Sequence, residues 1–218
     1  MAIASQVSRE RLRPGPSALT REEVLASQQG RLGMAVLHAV AESGYLATTV
    51  ADITKRAQVS RRTFYELFTG KEECFAYAFD TAMDILHQQL GAVLEPHAQA
   101  DWQLLVRRSL ESYLAILAAE PAAARALHVE ALAAGPAFAQ RRARMKKIFA
   151  DRMIRAHALG VDRGELAGAP SPGVVDLLIG GIEDRIRDCL ETDGPERLPD
   201  LAADLSIAAV ALLRAPAR

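Results

Sequence analysis

At three points in its first seventy-two residues the chain sets, just ahead of an apolar helical run, a hydroxyl side chain three positions before a carboxylate: Thr20 with Glu23, Thr49 with Asp52, and Thr69 with Glu72. In such a capping box the hydroxyl accepts from a free amide of the first helical turn, and the carboxylate accepts from the capping residue's own N–H. Each pair therefore marks a helix start. The apolar residues that follow recur at three- and four-residue steps, as in Leu32, Val36 and Val40, or Phe75, Phe79, Met83, Leu86 and Leu90. That spacing puts them on one helical face. No segment alternates apolar and polar residues as a strand does, so the chain is constrained to an all-α fold.

Reading on, the first helix runs from the Thr20 box to about Ser43, with Gly44 as its stop. A short helix follows from Thr49 through Ala57, then a turn at Gln58-Val59, then a third helix capped by Ser60 and ending near Phe68. The Thr69 box opens a long helix that Pro96 ends. Further helices are expected over 101–119, 122–134, 137–159, 173–192 and 196–214. Pro121, Pro136, Pro172 and Pro195 stand at or just before their starts, where a missing N–H costs nothing. The sum is about nine helices: a polar arm over 1–19 broken by Pro14, Gly15 and Pro16, a three-helix domain over 20–70, and a larger helical domain over 71–218.

Composition narrows the class. The chain has 218 residues, half of them hydrophobic, with a mean hydropathy of +0.04 and a net charge of −1. It is too apolar to be disordered and too charged to lie in a membrane. The first twenty residues contain no apolar core of a secretory signal, and the only cysteines, Cys74 and Cys189, form no CxxC or disulfide pattern. A cytoplasmic protein with reduced thiols is expected. No nucleophile elbow, phosphate loop or HExxH appears, and His38, His87, His97, His128 and His157 are scattered through separate segments. Isolated core or surface histidines are preferred over a metal site assembled from His87, His128 and His157. No catalytic residue, metal or cofactor is expected.

The informative stretch is Gly44 to Phe75, GYLATTVADITKRAQVSRRTFYELFTGKEECF. Two short helices joined by a three- to four-residue turn make a helix-turn-helix, which lays its second helix in the major groove of DNA. Val50, Ile53 and Ala57 form the apolar face of the first, and Val59 and Phe64 plug the space between the two. Ser60, Arg61, Arg62 and Thr63 are left at the exposed N-terminal turn of the second. There an arginine pairs with guanine O6 and N7, and a hydroxyl reaches base edges or phosphates. Charge supports the reading: residues 1–72 carry a balance of +3 and residues 73–218 one of −4. The near-neutral total conceals a basic reader on an acidic body.

The order G-Y-x-x-T-T-V-x-D-I followed by A-x-V-S-x-x-T-F-Y-x-x-F-x-x-K-E closely resembles the N-terminal domain of the TetR family of bacterial transcriptional regulators, over about residues 28 to 76. The resemblance implies DNA-backbone contacts by Thr49, Tyr65 and Lys71, and a base-reading turn at Arg61, Arg62 and Thr63. Thr49 also caps its helix, so its two roles compete. Gln58 stands where the family usually has Gly, which requires either another turn geometry or a left-handed residue at roughly 1–2 kcal/mol. Thr54 replaces a common Ala, and Leu67 a usual Tyr or His. Arg9, Arg11 and Arg13 are read either as a minor-groove arm or as a solvated tail.

For the larger domain the resemblance implies a ligand pocket and a dimer face. Pocket candidates are Leu86, Leu90, Trp102, Leu105, Tyr113, Leu117, His128, Phe149 and Met153, a mostly apolar set suited to a small hydrophobic molecule. Dimer candidates are Val174, Leu178, Ile182, Ile186 and Leu190 on one helix, and Leu198, Leu201, Leu205, Ala208, Ala209 and Leu212 on the next. Gly180 and Gly181, which cost helix propensity, favour close backbone approach there. The basic run Arg141, Arg142, Arg144, Lys146 and Lys147 reads as a solvated face rather than a second DNA site. The expectation is a homodimeric regulator, a repressor released from a palindromic double-stranded operator by a hydrophobic effector. The alternatives are a regulator without an effector, an activator or, remotely, a helical enzyme or metal-binding protein.

Overall fold

The computed structural model describes residues 20–94 and 101–215. Arg9, Arg11 and Arg13, the helix stop at Pro96, and His97 lie outside them. Among the described residues there are nine α-helices and no strand: α1 (Arg21–Ser43), α2 (Val50–Ala57), α3 (Arg61–Leu67), α4 (Lys71–Leu94), α5 (Trp102–Ala119), α6 (Pro121–His128), α7 (Ala139–Asp162), α8 (Pro172–Thr192) and α9 (Ala202–Leu213). None is long and apolar enough to cross a membrane.

The caps explain the early boundaries. Thr20 and Glu23 form their box reciprocally at the start of α1, and Thr49 with Asp52 does the same at α2. The third box is displaced by one residue. The Thr69 amide and hydroxyl both donate to Glu73 at 2.7 Å, not to Glu72, because α4 begins at Lys71 and Glu73 is the carboxylate that reaches back.

Three expected helices divide. The 122–134 segment is α-helical only to His128 and continues as a 3-10 turn over Glu130–Leu132. Pro136–Phe138 is a 3-10 turn ahead of α7. Pro195–Leu201 is 3-10 rather than the start of α9, and Pro199 within it has no N–H to give an α-type bond.

The chain forms two compact units. The first combines residues up to Asp84 with a distant segment, Ala122–Phe138. Its centre is aromatic. Phe138 stacks on Phe75 at 4.8 Å between centroids and meets Phe79 edge-on at 5.8 Å, while Tyr45 lies 5.3 Å from Phe75. Leu32, Val36 and Val40 of α1 are completely buried, as are Ile53 of α2 and Phe64 of α3.

The second unit holds Ile85–Pro121 and the residues from Ala139 onward. In it α5 packs on α7 and α9, and α8 packs on α7 and α9. Trp102 is fully buried beside Gly160, where any Cβ would meet its ring at 2.7 Å.

Candidate nucleic-acid interface and effector cavity

In the first unit, Val59 and Phe64 are buried and fix the angle at which α3 leaves the turn. The turn itself is held by Gln58 in the left-handed region at φ 53, the one non-glycine with positive φ among the described residues. The chain therefore tolerates a strained residue where glycine would sit freely. Thr54 is buried, and its hydroxyl donates to the Val50 carbonyl at 2.9 Å within α2, so the extra oxygen is satisfied locally. Leu67 is half-buried.

Ser60 caps α3 by accepting the Thr63 N–H at 3.0 Å, and the two hydroxyls lie 2.9 Å apart. Both are thereby engaged in holding the turn. Arg61, Arg62 and Tyr65 project from the same short helix into solvent, Tyr65 at 58% exposure. Arg62 meets only Glu66, one helical turn on, at 3.1 Å, and its side chain remains 90% exposed. Such an exposed pair holds the arginine only weakly. Phe64 lies edge-on to the Tyr65 ring and orients it outward.

Thr49 and Lys71 are placed differently. The Thr49 hydroxyl donates to the Asp52 carboxylate at 2.6 Å and the Thr49 N–H donates to it at 2.9 Å, and these bonds hold the Asp52 carboxyl below its ordinary range. Lys71 folds back. Its ammonium donates to the Tyr45 carbonyl at 2.7 Å and the Leu46 carbonyl at 3.4 Å, and rests 4.5 Å above the Tyr45 ring. Partial burial lowers its pKa. Lys71 thus ties the start of α4 to the loop ahead of α2.

That loop has a second tie, which sequence reasoning missed. Glu130 is 9% exposed and accepts the Tyr45 N–H at 2.9 Å, with Arg125 at 3.4 Å on its other oxygen. Its partner lies 85 residues away in sequence, beyond the range of any local signal.

A cavity of about 20 Å³ lies in the second unit. Four of the pocket candidates line it: Leu90, Tyr113, Phe149 and Met153. The Tyr113 and Phe149 rings are 4.3 Å apart, and burial, with Glu183 nearby, pushes the Tyr113 phenol well above its ordinary pKa. Leu86, Trp102, Leu105 and Leu117 are buried but do not line this cavity, and His128 is buried in the first unit. The remaining lining includes Ser109, Leu110, Arg152, Ile179, Ile182 and Glu183, none of which was expected in the pocket; Ile182 was expected at the dimer face. Among the described residues, no group of three potential metal ligands gathers.

Of the dimer candidates, Leu178, Ile182, Ile186, Leu190, Leu198 and Ala209 are buried inside the second unit itself. Val174, Leu201, Leu205 and Leu212 are half-buried, and Ala208 is exposed. The large apolar residues left facing solvent on these helices are Leu177, at 66%, and Ile207, at 70%. A Cβ on Gly180 or Gly181 would meet nothing, so no close approach within the chain accounts for them. In the basic run, Arg144 and Lys147 are exposed, the other three are half-buried, and Lys146 pairs with Glu183 at 2.8 Å.

Residues 37–78 match the family model described as bacterial regulatory proteins, tetR family. No curated protein matches the chain significantly. Among solved structures, FadR from Bacillus subtilis in complex with stearoyl-CoA has a TM-score of 0.72 at 19% identity, covering 83% of this chain and 97% of its own. The fatty acid degradation regulator FadR from Bacillus halodurans has a TM-score of 0.75 at 16% identity, covering 94% and 100%. A bacterial regulatory protein of the tetR family from Rhodococcus RHA1 has a TM-score of 0.67 at 17% identity, covering 87% and 98%. At these identities the likeness is one of fold.

Proposed function

We propose that the chain is a DNA-binding transcriptional regulator of the tetR family, acting as a homodimeric repressor whose grip on a palindromic operator is released by a hydrophobic effector. The observation that carries the DNA reading is the first turn of α3. Arg61 and Arg62 stand in solvent there, on a helix whose opposite side is locked by buried Phe64. Arg61, Arg62 and Thr63 are assigned to bases, and Thr49, Ser60, Tyr65 and Lys71 to the DNA backbone.

The dimer is assigned to the outward side of α8 and α9, around Leu177, Gly181, Ile207 and Ala208, because the inward stripe is already consumed by packing. A two-fold pair presents two α3 helices to successive major grooves about 34–36 Å apart. Two observations support an effector: the apolar cavity beside Tyr113 and Phe149, and the likeness in fold to a FadR whose structure holds stearoyl-CoA. Effector binding shifts the operator equilibrium only by its differential affinity for the two states.

One observation favours a second reading, a regulator without an effector: the cavity, at about 20 Å³, has room for roughly one water. The deciding experiment measures binding to palindromes from the DNA flanking the gene by fluorescence anisotropy, with and without stearoyl-CoA, alongside sedimentation of the free protein. Dimeric, sequence-selective binding that stearoyl-CoA weakens supports the proposal. Selective binding indifferent to every apolar ligand favours the second reading, and equal affinity for operator and random DNA refutes the repressor.

A further inference from the structure

The cavity of the second unit is mostly apolar; α7 and α8 contribute its two charged residues, Arg152 and Glu183, and α5 contributes the hydroxyl side chains of Ser109 and Tyr113. Each of these residues is only 9% exposed. Each also presents a buried polar atom without a hydrogen-bond partner: the Nε–H of Arg152, a donor, and Oε1 of Glu183, an acceptor. One other polar atom of each is engaged. Arg152 Nη2 donates to the His87 carbonyl at 3.0 Å and lies 3.4 Å from His87 Nδ1. Glu183 Oε2 holds Lys146 at 2.8 Å.

Folded proteins seldom leave such groups unpaired, because each gives up hydration and receives nothing back. Here one spare donor and one spare acceptor belong to the wall of the same cavity, whose other lining includes Leu90, Leu110, Met153 and Ile179. We infer that this cavity takes an amphiphile whose polar end is uncharged and both gives and receives a hydrogen bond, as a primary alcohol or amide does. Arg152 donates to the oxygen of that group, its O–H or N–H donates to Glu183, and the alkyl part lies against the apolar wall.

The spare acceptor on Glu183, rather than the sum of charges, selects against an anionic head. Lys146 already balances Glu183, and Oε1 of Glu183 is met only by a head that has a proton to donate. A carboxylate would face Glu183 with no proton to offer it. Size is consistent with the head alone, since about 20 Å³ holds one small polar group. The tail enters by displacing Met153, whose unbranched side chain repacks readily, and Phe149, which is only half-buried.

The inference rests on the effector reading of this cavity, and the test separates the two. Binding of 1-decanol, decanamide, decyl methyl ether and sodium decanoate to the full chain is measured by calorimetry. Operator release is followed in parallel with the same probes and with stearoyl-CoA. The expected result is that the alcohol and amide bind roughly tenfold or more tightly than the ether and the carboxylate, neither of which can donate. Glu183→Leu removes the alcohol's advantage over the ether, and Arg152→Met weakens the alcohol directly; should one variant fail to fold by circular dichroism, the other decides. Equal or tighter binding of the ether or decanoate, or a preference that survives in a folded Glu183→Leu protein, overturns the inference. Operator release by stearoyl-CoA with no binding of any decyl probe overturns it while leaving the effector reading standing. The expected preference without operator release by any probe establishes the subsite and removes the effector reading.

Discussion

Glu130 accepts the backbone N–H of Tyr45 at 2.9 Å, across 85 residues of sequence, and the carbonyl of the same Tyr45 accepts from Lys71 at 2.7 Å. One peptide segment ahead of α2 is thus held from both sides, by the 122–138 segment and by the first residue of α4. The helix-turn-helix begins only four residues later, at Thr49.

Removing the first of these ties leaves a buried N–H without an acceptor and Arg125 without its carboxylate. Glu130→Ala is expected to cost about 1–3 kcal/mol of stability and to weaken operator binding. Glu130→Gln, which retains an acceptor oxygen, recovers most of the binding. Urea melts and anisotropy titrations of the two variants check this.

Lys71 is asked to do two things, and its replacement separates them from base reading. Lys71→Ala is expected to lower stability, through the freed Tyr45 carbonyl, and to lower affinity on cognate and random DNA alike, with the salt slope reduced by about 1. Arg62→Ala leaves stability nearly unchanged, since its pair with Glu66 is solvent-exposed. It costs about 1–3 kcal/mol on the cognate site alone. Titrations at several salt concentrations on both DNAs distinguish the two patterns.

Gln58 holds its left-handed conformation at a cost that glycine does not bear. Gln58→Gly is expected to stabilise the protein by up to about 1 kcal/mol, roughly 2–4 °C in melting temperature for a chain of this size. Differential scanning calorimetry of the two proteins tests it; a lower melting temperature would contradict the strain argument.

Cys74 supplies a pH dependence. Burial, and then the nearby Glu73 charge, push its thiol up from 9.0 to about 12. Below pH 9 both folded and unfolded chains keep the proton, and the group contributes nothing to the slope. Between 9 and about 12 the unfolded chain releases it first, so stability falls as pH rises, by about 1.4 kcal/mol per pH unit for this group. Urea melts at pH 8 and pH 10 are expected to show a smaller drop in Cys74→Ala than in the parent. Iodoacetamide is expected to label Cys74 only on unfolding.

Much of this architecture was legible locally. Hydroxyl–carboxylate pairs announced α1 and α2, Ser60 announced α3, and the order from Gly44 to Phe75 announced the reader. The failures have physical causes. Apolar periodicity in α8 reports that Leu178, Ile182 and Ile186 are buried, but not whether their own chain or a second copy buries them. A cap read from spacing alone missed by one residue at Thr69, since Glu72 and Glu73 are equivalent until the helix start is fixed. Arg152, Glu183 and Glu130 were invisible because charged residues on helices look solvated until a distant helix closes over them.

The first unit is not contiguous in the chain: Phe138, stacked on Phe75 and edge-on to Phe79, and Glu130, on Tyr45, both follow α5 in sequence. During synthesis the helix-turn-helix leaves the ribosome early, yet it lacks part of its core until residue 138 has emerged. At roughly 5–20 residues per second, the sixty-odd residues between Phe75 and Phe138 impose a wait of several seconds. A polypeptide cut after α4 would carry every residue proposed to read bases and still lack part of its core, so the proposed affinity for DNA would arrive late in the making of the chain.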